Sequence, residues 1–429
     1  MGRAYQGEVH PRFRGHRVRY VLLAALGASL LAGCGGRPTG VLLPTAIEQS
    51  DAKPIEILAV TTRGDEGVPT GEMFDGSRGS HISYASIGIS IPANRVAGEV
   101  QWPSTLPGDP KRDFVTVSAD KLAPQAAHAR MQQQLAKTKH RRVLVFVHGY
   151  NTRFEESVYR LAQIVHDSDA PAVPILFTWP SRGQLLGYTY DRESANFSRD
   201  ALEDLLRGLA RNPAVGEITL LAHSMGNWVA LEALRQMSIR SGRIDPKIKT
   251  VMMAAPDVDV DVFRRQVEAI GTKRPPFVIF VSRDDRALAL STRIWGNNPR
   301  LGAIDLKDPR YSSLLTAKGL QIVDLTELKS GDRLNHGKFA ENPEIVRLIG
   351  ARLAAGQILH ETNSGLGDRI GLITTGAAAA VGRAAAVTLS APIALIDPQT
   401  RRNLPNQIDE LGEDARQAAR NAGAVIPAR

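Results

Sequence analysis

Cysteine is almost absent: Cys34 is the only one in 429 residues, so no internal disulfide can form. There is no His-Glu-x-x-His pair for zinc and no Gly-x-x-x-x-Gly-Lys-Ser/Thr loop for phosphates. Neither a metal nor a cofactor is therefore expected. No basic stripe interleaved with aromatics runs along the chain, which argues against a nucleic-acid partner. Long apolar runs are missing too. The first, Val21 to Leu31, is too short to span a bilayer. The second, Ile370 to Ile396, is rich in Ala and Gly and is broken by Arg383, and a charge in the middle of a span is costly.

The short N-terminal run has a use. Arg3, Arg12, Arg14, Arg17 and Arg19 precede it, and Leu31-Ala32-Gly33-Cys34 closes it. A positive segment, an apolar segment and small residues describe a cleaved export signal. The closing tetrapeptide resembles a bacterial lipobox, in which Cys34 is lipidated and becomes the mature N-terminus. That resemblance explains the lone cysteine. Gly35 at the next position implies the outer membrane, facing the periplasm. Residues 1–33 carry five arginines and one glutamate, so their removal takes the formal charge from +9 to +5. That charge is compatible with mild attraction to an anionic membrane surface.

Hydrophobic and charged contents of 43% and 23% are those of an ordinary globular protein. Residues 34–54, with Gly, Pro, Thr and Ser and no period, read as a tether. Residues 55–117 read as short strands and turns, among them Ile55 to Thr62 and Ser86 to Ile91. From Arg141 the rhythm becomes strand–helix–strand. Val143 to Val147 is uniformly apolar, as in a strand buried on both faces. A helix pattern follows over Arg153 to His166. Strands at 175–178, 218–223, 251–255, 277–281 and 320–325 alternate with helices at 199–209, 227–237, 262–270 and 343–355. Alternating units of this kind give a mostly parallel sheet with helices on both faces, here with an antiparallel N-terminal entry. The segment 357–429 reads as an Ala/Gly-rich tail, disordered or associated with a membrane or partner.

Ala222-His223-Ser224-Met225-Gly226 lies between an apolar strand and an apolar helix pattern. This is the setting of an activated serine on a sharp turn, whose flanking positions must be small. Ala222 departs from the usual glycine by one methyl. Such a serine needs a base, and the base needs an orienting acid. In the order serine, acid, histidine, only His336 and His360 are available as bases. His336 is preferred, because it follows the last strand and precedes a helix start at Asn342-Pro343-Glu344. His360 lies past the last helix. Asp285 and Asp284 both end the 277–281 strand, and only one can reach the imidazole. Asp285 is favoured, Asp284 is the alternative, and the other is expected to cap a helix, as Asp257 is for its own. The oxyanion donors are expected to be the backbone N–H groups of Met225 and Tyr150. His148 precedes the serine and is expected to pack beneath the loop or hold it by a hydrogen bond rather than act as the base. Trp179, Tyr188 and Tyr190 either line an acyl or aryl pocket or pack over the sheet edge.

Five segments occur in order: His148-Gly149-Tyr150-Asn151, Phe177-Thr178-Trp179-Pro180-Ser181, Ala222 to Gly226, Ala255-Pro256-Asp257-Val258-Asp259, and Ser282 to Leu288. Together they resemble the bacterial α/β-hydrolase family of unknown function DUF900, over roughly residues 55–355. The resemblance implies an α/β-hydrolase fold and a serine-hydrolase triad, and it implies no substrate. The sequence thus leads to an α/β-hydrolase domain over 55–356 that cleaves carboxylic esters, small or lipidic, through Ser224, His336 and Asp285. It would be held to a membrane by an N-terminal lipid. The same residues suit an amidase or thioesterase, and the rival reading is a non-catalytic envelope lipoprotein that uses the fold for binding.

Overall fold

The uniformly apolar run at 143–147 becomes β4 (Arg142–Val147), a central strand with every residue buried. Its side chains alternate between two cores. Val143, Val145 and Val147 join one, and Leu144 and Phe146 join the other, as the period of two in a strand requires. The computed structural model describes residues 39–46, 54–169, 171–294, 297–311, 319–328 and 331–355.

Within that range β1 (Ile55–Arg63), β2 (Arg78–Ser90) and β3 (Val115–Leu122) come first. Then α1 (Pro124–Ala136), β4, α2 (Phe154–Ser168), β5 (Val173–Thr178), α3 (Tyr188–Arg211), β6 (Glu217–His223) and α4 (Gly226–Ser241) follow. The chain continues through β7 (Ile248–Ala254), α5 (Val260–Ile270), β8 (Phe277–Val281), α6 (Arg286–Ile294), β9 (Leu320–Asp324), α7 (Lys338–Glu341) and α8 (Pro343–Ala355). The strands form one sheet in the order β3-β2-β1-β5-β4-β6-β7-β8-β9. Strand β2 runs antiparallel to both its neighbours, and all other pairings are parallel.

Helices α1, α3, α4 and α5 pack on one face, and α2 and α8 on the other. α2 places Phe154, Val158, Leu161 and Val165 on its buried side, and Glu156 accepts a hydrogen bond from Arg153 N at 2.8 Å at its start. α8 begins as its sequence suggests: Asn342 Oδ1 accepts from Glu344 N at 3.0 Å and from Ile345 N at 3.3 Å. Among the described residues no helix is long and apolar enough to cross a membrane.

The domain takes in more of the chain than its strand pattern suggests. Residues 40–46, placed in the tether by composition, are fastened to the domain. Val41 and Leu42 are buried. Tyr159 OH donates to Val41 O at 3.0 Å, and Thr45 N donates to Thr116 O at 2.8 Å. Two apolar side chains in a polar stretch show no period, but each gains free energy by leaving water. Cys34, the signal, most of the tether and the tail after 355 lie outside the described residues.

Candidate active site

Strand β6 ends at His223, and the chain then turns through Ser224 at φ 52°, a left-handed conformation that costs a non-glycine residue about 1–2 kcal/mol. Neighbours hold it there. Ser224 N donates to Ala254 O at 2.9 Å. Ser224 O accepts from Asn227 N at 3.1 Å, Asp257 N at 3.2 Å and Asn227 Nδ2 at 3.0 Å. The turn is also tight against β4. A Cβ on Gly226 would stand 2.4 Å from His148 O, and one on Gly149 would stand 2.8 Å from Ser224 Cβ. Only glycine fits either place. The methyl of Ala222 is fully buried beneath the turn, where there is room for it.

His336 lies in the β9–α7 connection. Asp332 shapes that connection by accepting from Leu334 N at 2.6 Å and His336 N at 3.0 Å. His336 Nδ1 donates to Asp285 Oδ2 at 2.6 Å, and Asp285 is buried. Asp284 faces away from the imidazole. Its carboxylate takes Lys338 Nζ at 2.8 and 3.0 Å and Asn335 Nδ2 at 2.8 Å. The expected division of labour therefore needs correcting. The helix-capping carboxylate is Asp285 itself, whose Oδ1 accepts from Leu288 N at 2.9 Å, while Asp284 clamps the histidine loop through a buried lysine. Asp257 is no cap either. Asp259 caps α5, and Asp257 is buried, accepting from Tyr188 OH and Ser291 Oγ, each at 2.7 Å.

Among the described residues no hydrogen bond joins Ser224 Oγ to His336. The serine and histidine come from adjoining segments all the same. His223 packs its ring 4.7 Å from that of His336 and 4.6 Å from that of Phe339, and its Nε2 lies 3.4 Å from His336 O.

The electrostatics separate the histidines. Burial depresses His336, but the Asp285 charge and hydrogen bond outweigh it and hold the imidazole above its ordinary 6.5. His223 is pushed well below that value by burial, then by the His336 charge. A base must be neutral to accept a proton, so turnover should climb with pH along a limb centred above 6.5. Removal of the Asp285 charge should shift that limb to lower pH, as a profile of kcat/KM against pH would read.

Met225 N–H, at the start of α4, has no acceptor among the described residues. The other expected oxyanion residue, Tyr150, lies in the loop after β4. Gly149 of that loop abuts the serine, as described, and the Tyr150 ring is 5.0 Å from that of Tyr188. His148 is buried beneath this loop. Its Nδ1 donates to Gly149 O at 2.8 Å, while Nε2 accepts from Trp179 N at 3.2 Å. That tautomer is neutral, and burial, then the Arg63 charge, keeps it so. Trp179 stacks on His148 at 4.9 Å and donates Nε1–H to His148 O at 2.9 Å, so it is core rather than pocket wall. Tyr190 OH donates to Gly76 O at 3.1 Å. Of the three aromatics, only Tyr188 joins a network touching the serine turn, through Asp257.

Arg63 was not foreseen. It is fully enclosed at the end of β1. It donates to Thr178 Oγ1 at 2.6 Å, Asp75 O and Ser181 O at 2.9 Å, Thr152 O at 2.8 Å and His148 Nε2 at 3.3 Å. One side chain thus ties the loop after β4 to the loop after β5. A charge ending an apolar strand was the available signal. Lys338 offered less signal, being a charge in a short polar stretch.

A cavity of about 270 Å³ lies elsewhere, lined by Leu58, Val60, Met131, Ile175, Leu205 and Leu209 between α1, α3 and the sheet. None of these residues touches the serine turn, so the site is placed by its chemistry rather than by volume. Among the described residues no group of three His, Cys, Asp or Glu is arranged to hold a metal.

The family model for an α/β hydrolase of unknown function, DUF900, matches residues 123–352, more than half of the chain. No curated protein matches. Among solved structures, a protein described as a cell surface hydrolase from Lactobacillus plantarum WCFS1 is 12% identical, with a TM-score of 0.32, over 51% of this chain and 94% of its own. A YdeN-like hydrolase from Pectobacterium atrosepticum SCRI1043 is 15% identical, with a TM-score of 0.25, over 51% of this chain and 98% of its own.

Proposed function

This chain belongs to the α/β-hydrolase family of unknown function DUF900, and from that premise we propose that it is a serine hydrolase of carboxylic esters. The observation that carries the reading is the 2.6 Å bond from His336 Nδ1 to a buried Asp285, beside a serine held in a left-handed turn. A buried carboxylate on one imidazole nitrogen fixes the tautomer and leaves the other nitrogen free to accept a proton.

In this reading Ser224 Oγ bonds to the ester carbonyl carbon as His336 Nε2 takes the hydroxyl proton. The carbonyl oxygen becomes an oxyanion and accepts from Met225 N–H and Tyr150 N–H. Collapse breaks the carbon–oxygen bond, and the alcohol leaves with the proton from His336. Water then attacks the acyl-serine, giving its proton to His336, and the acid is released as Ser224 is restored. No step calls on a metal or cofactor. Amides and thioesters would follow the same path; relative kcat/KM on matched substrates decides among them. We further propose that the enzyme acts in the bacterial envelope, lipidated at Cys34.

A fluorophosphonate tests the nucleophile. The wild-type protein should be labelled, and Ser224→Ala should be neither labelled nor active on a p-nitrophenyl ester. Labelling that persists in Ser224→Ala would remove Ser224 from the mechanism. A wild-type protein that resists the probe would favour the binding-lipoprotein alternative.

A further inference from the structure

Ten large apolar side chains are exposed among the described residues, and five of them stand on connections around the site. Leu185 and Leu186 lie between β5 and α3, Leu290 and Ile294 on α6, and Leu334 between β9 and α7. Each of the three connections is joined to the site by a short contact. Leu185 O accepts from the Tyr150 hydroxyl. Ser291, next to Leu290, binds Asp257 at 2.7 Å. Leu334 O accepts from Arg286 N at 2.9 Å, and Leu334 is two residues before His336. Of the others, Leu43 and Leu106 lie around Gly40 and Gly71, and Ile239 sits near the far end of α4.

Four arginines share these connections: Arg182, Arg286, Arg293 and Arg333, all exposed. None has a carboxylate within ion-pair distance among the described residues. Arg182 lies over Tyr190 at 3.8 Å, and Arg286 Nη1 donates to Arg333 O at 3.3 Å. Arg283, by contrast, is balanced by Asp305 at 3.7 Å and Glu327 at 3.9 Å. Leucines beside uncompensated arginines suit an anionic bilayer, where side chains enter the acyl boundary and guanidinium groups stay with the headgroups. A protein seated on these connections would cover the serine they surround. A lipid surface would deliver an ester to it.

We propose that this apolar, basic rim is a lipid-facing surface, and that the enzyme rests on an anionic bilayer and hydrolyses acyl esters drawn from it. The substrate class rests on the serine-hydrolase reading; the membrane contact does not. Leu186, fully exposed, is the point of deepest contact.

The test uses the full chain with Cys34→Ala, which removes the only native thiol. Leu186→Cys and Ile239→Cys are each labelled with an environment-sensitive fluorophore. The two positions report opposite ends of the fold, since Ile239 lies about 20 Å along α4 from the serine turn. Vesicles of equal phosphatidylglycerol and phosphatidylcholine should shift the probe at 186 to the blue, with an intensity gain of about twofold or more. They should leave the probe at 239 unchanged. Phosphatidylcholine alone should do less, and salt should reverse the gain. No shift at 186, equal shifts at both positions, or blue emission at 186 before vesicles are added would each overturn the proposal; the last would mean that protein covers the rim. Neither probe reports turnover. A failed membrane contact therefore leaves the serine assignment standing, and an inert serine leaves the membrane result readable.

Discussion

Asp285→Asn should lower ester turnover by about 10⁴-fold while leaving the protein folded. The two oxygens of Asp285 have separate duties. Oδ1 caps α6 through Leu288 N, and Oδ2 accepts from His336 Nδ1. Asparagine can keep the cap with its oxygen, and then its amide N–H faces the imidazole. His336 must accept there, which moves its own proton to Nε2, where it cannot take one from Ser224. Asp284→Asn should behave in the opposite way. Lys338, buried, loses its countercharge but keeps Leu325 O and Thr326 O at 3.0 Å. The Asp284 side chain is 40% exposed, so solvent softens the loss to about 1–2 kcal/mol, with turnover reduced far less. Paired measurements of kcat and of denaturation midpoints separate the two. If Asp284→Asn proves the more damaging to kcat, the acid has been assigned to the wrong neighbour.

Arg63→Met should cost about 3–5 kcal/mol of stability, because it strips a buried network of its donor. Asp75 O, Ser181 O and Thr152 O would each lose a hydrogen bond. The charge matters as much as the bonds. Burial lowers the guanidinium to about 10, so it stays charged at neutral pH. The enclosed Glu155 nearby is raised to about 7, chiefly by burial. With the cation gone, that carboxyl should hold its proton to still higher pH. Arg63→Lys should fall between, since one ammonium cannot reach acceptors spread around a planar fork. Urea denaturation reads the stability. kcat should drop with it, because Thr152 and His148 belong to the loop that carries Tyr150. A Met variant of native stability would show that the loop is held by packing alone.

The parallel core was most legible where its strands are apolar throughout: 143–147 and 277–281 lie within β4 and β8. The candidate serine, base and acid could be named from chain order and from the ends of those strands. Helix α3 could not be read in full. It begins at Tyr188, eleven residues before the pattern at Arg199, because its first buried side chains, Ala195 apart, are Tyr188, Asp191, Ser194 and Ser198. They keep helical spacing but are polar, and a search for apolar periodicity passes over them. Helix α1 was missed for a related reason: it buries only Gln134 and Leu135. The hydrogen-bonded supports Arg63, Asp332 and Lys338 carry no period at all. Their roles exist only once distant segments meet.

Arg63 also bears on what counts as a unit of this protein. The family match begins at residue 123, after β1, β2 and β3, so it holds Ser224, Asp285 and His336 but not the arginine that ties down the loop after β4. A fragment excised at that boundary would keep every group assigned to chemistry. It would bare the edge of β5 that now pairs with β1, an invitation to aggregate, and would leave the loop that carries Tyr150 without its tether. The segment recognisable by family is therefore smaller than the folded unit that carries the candidate site, and the first strands brace that site through Arg63.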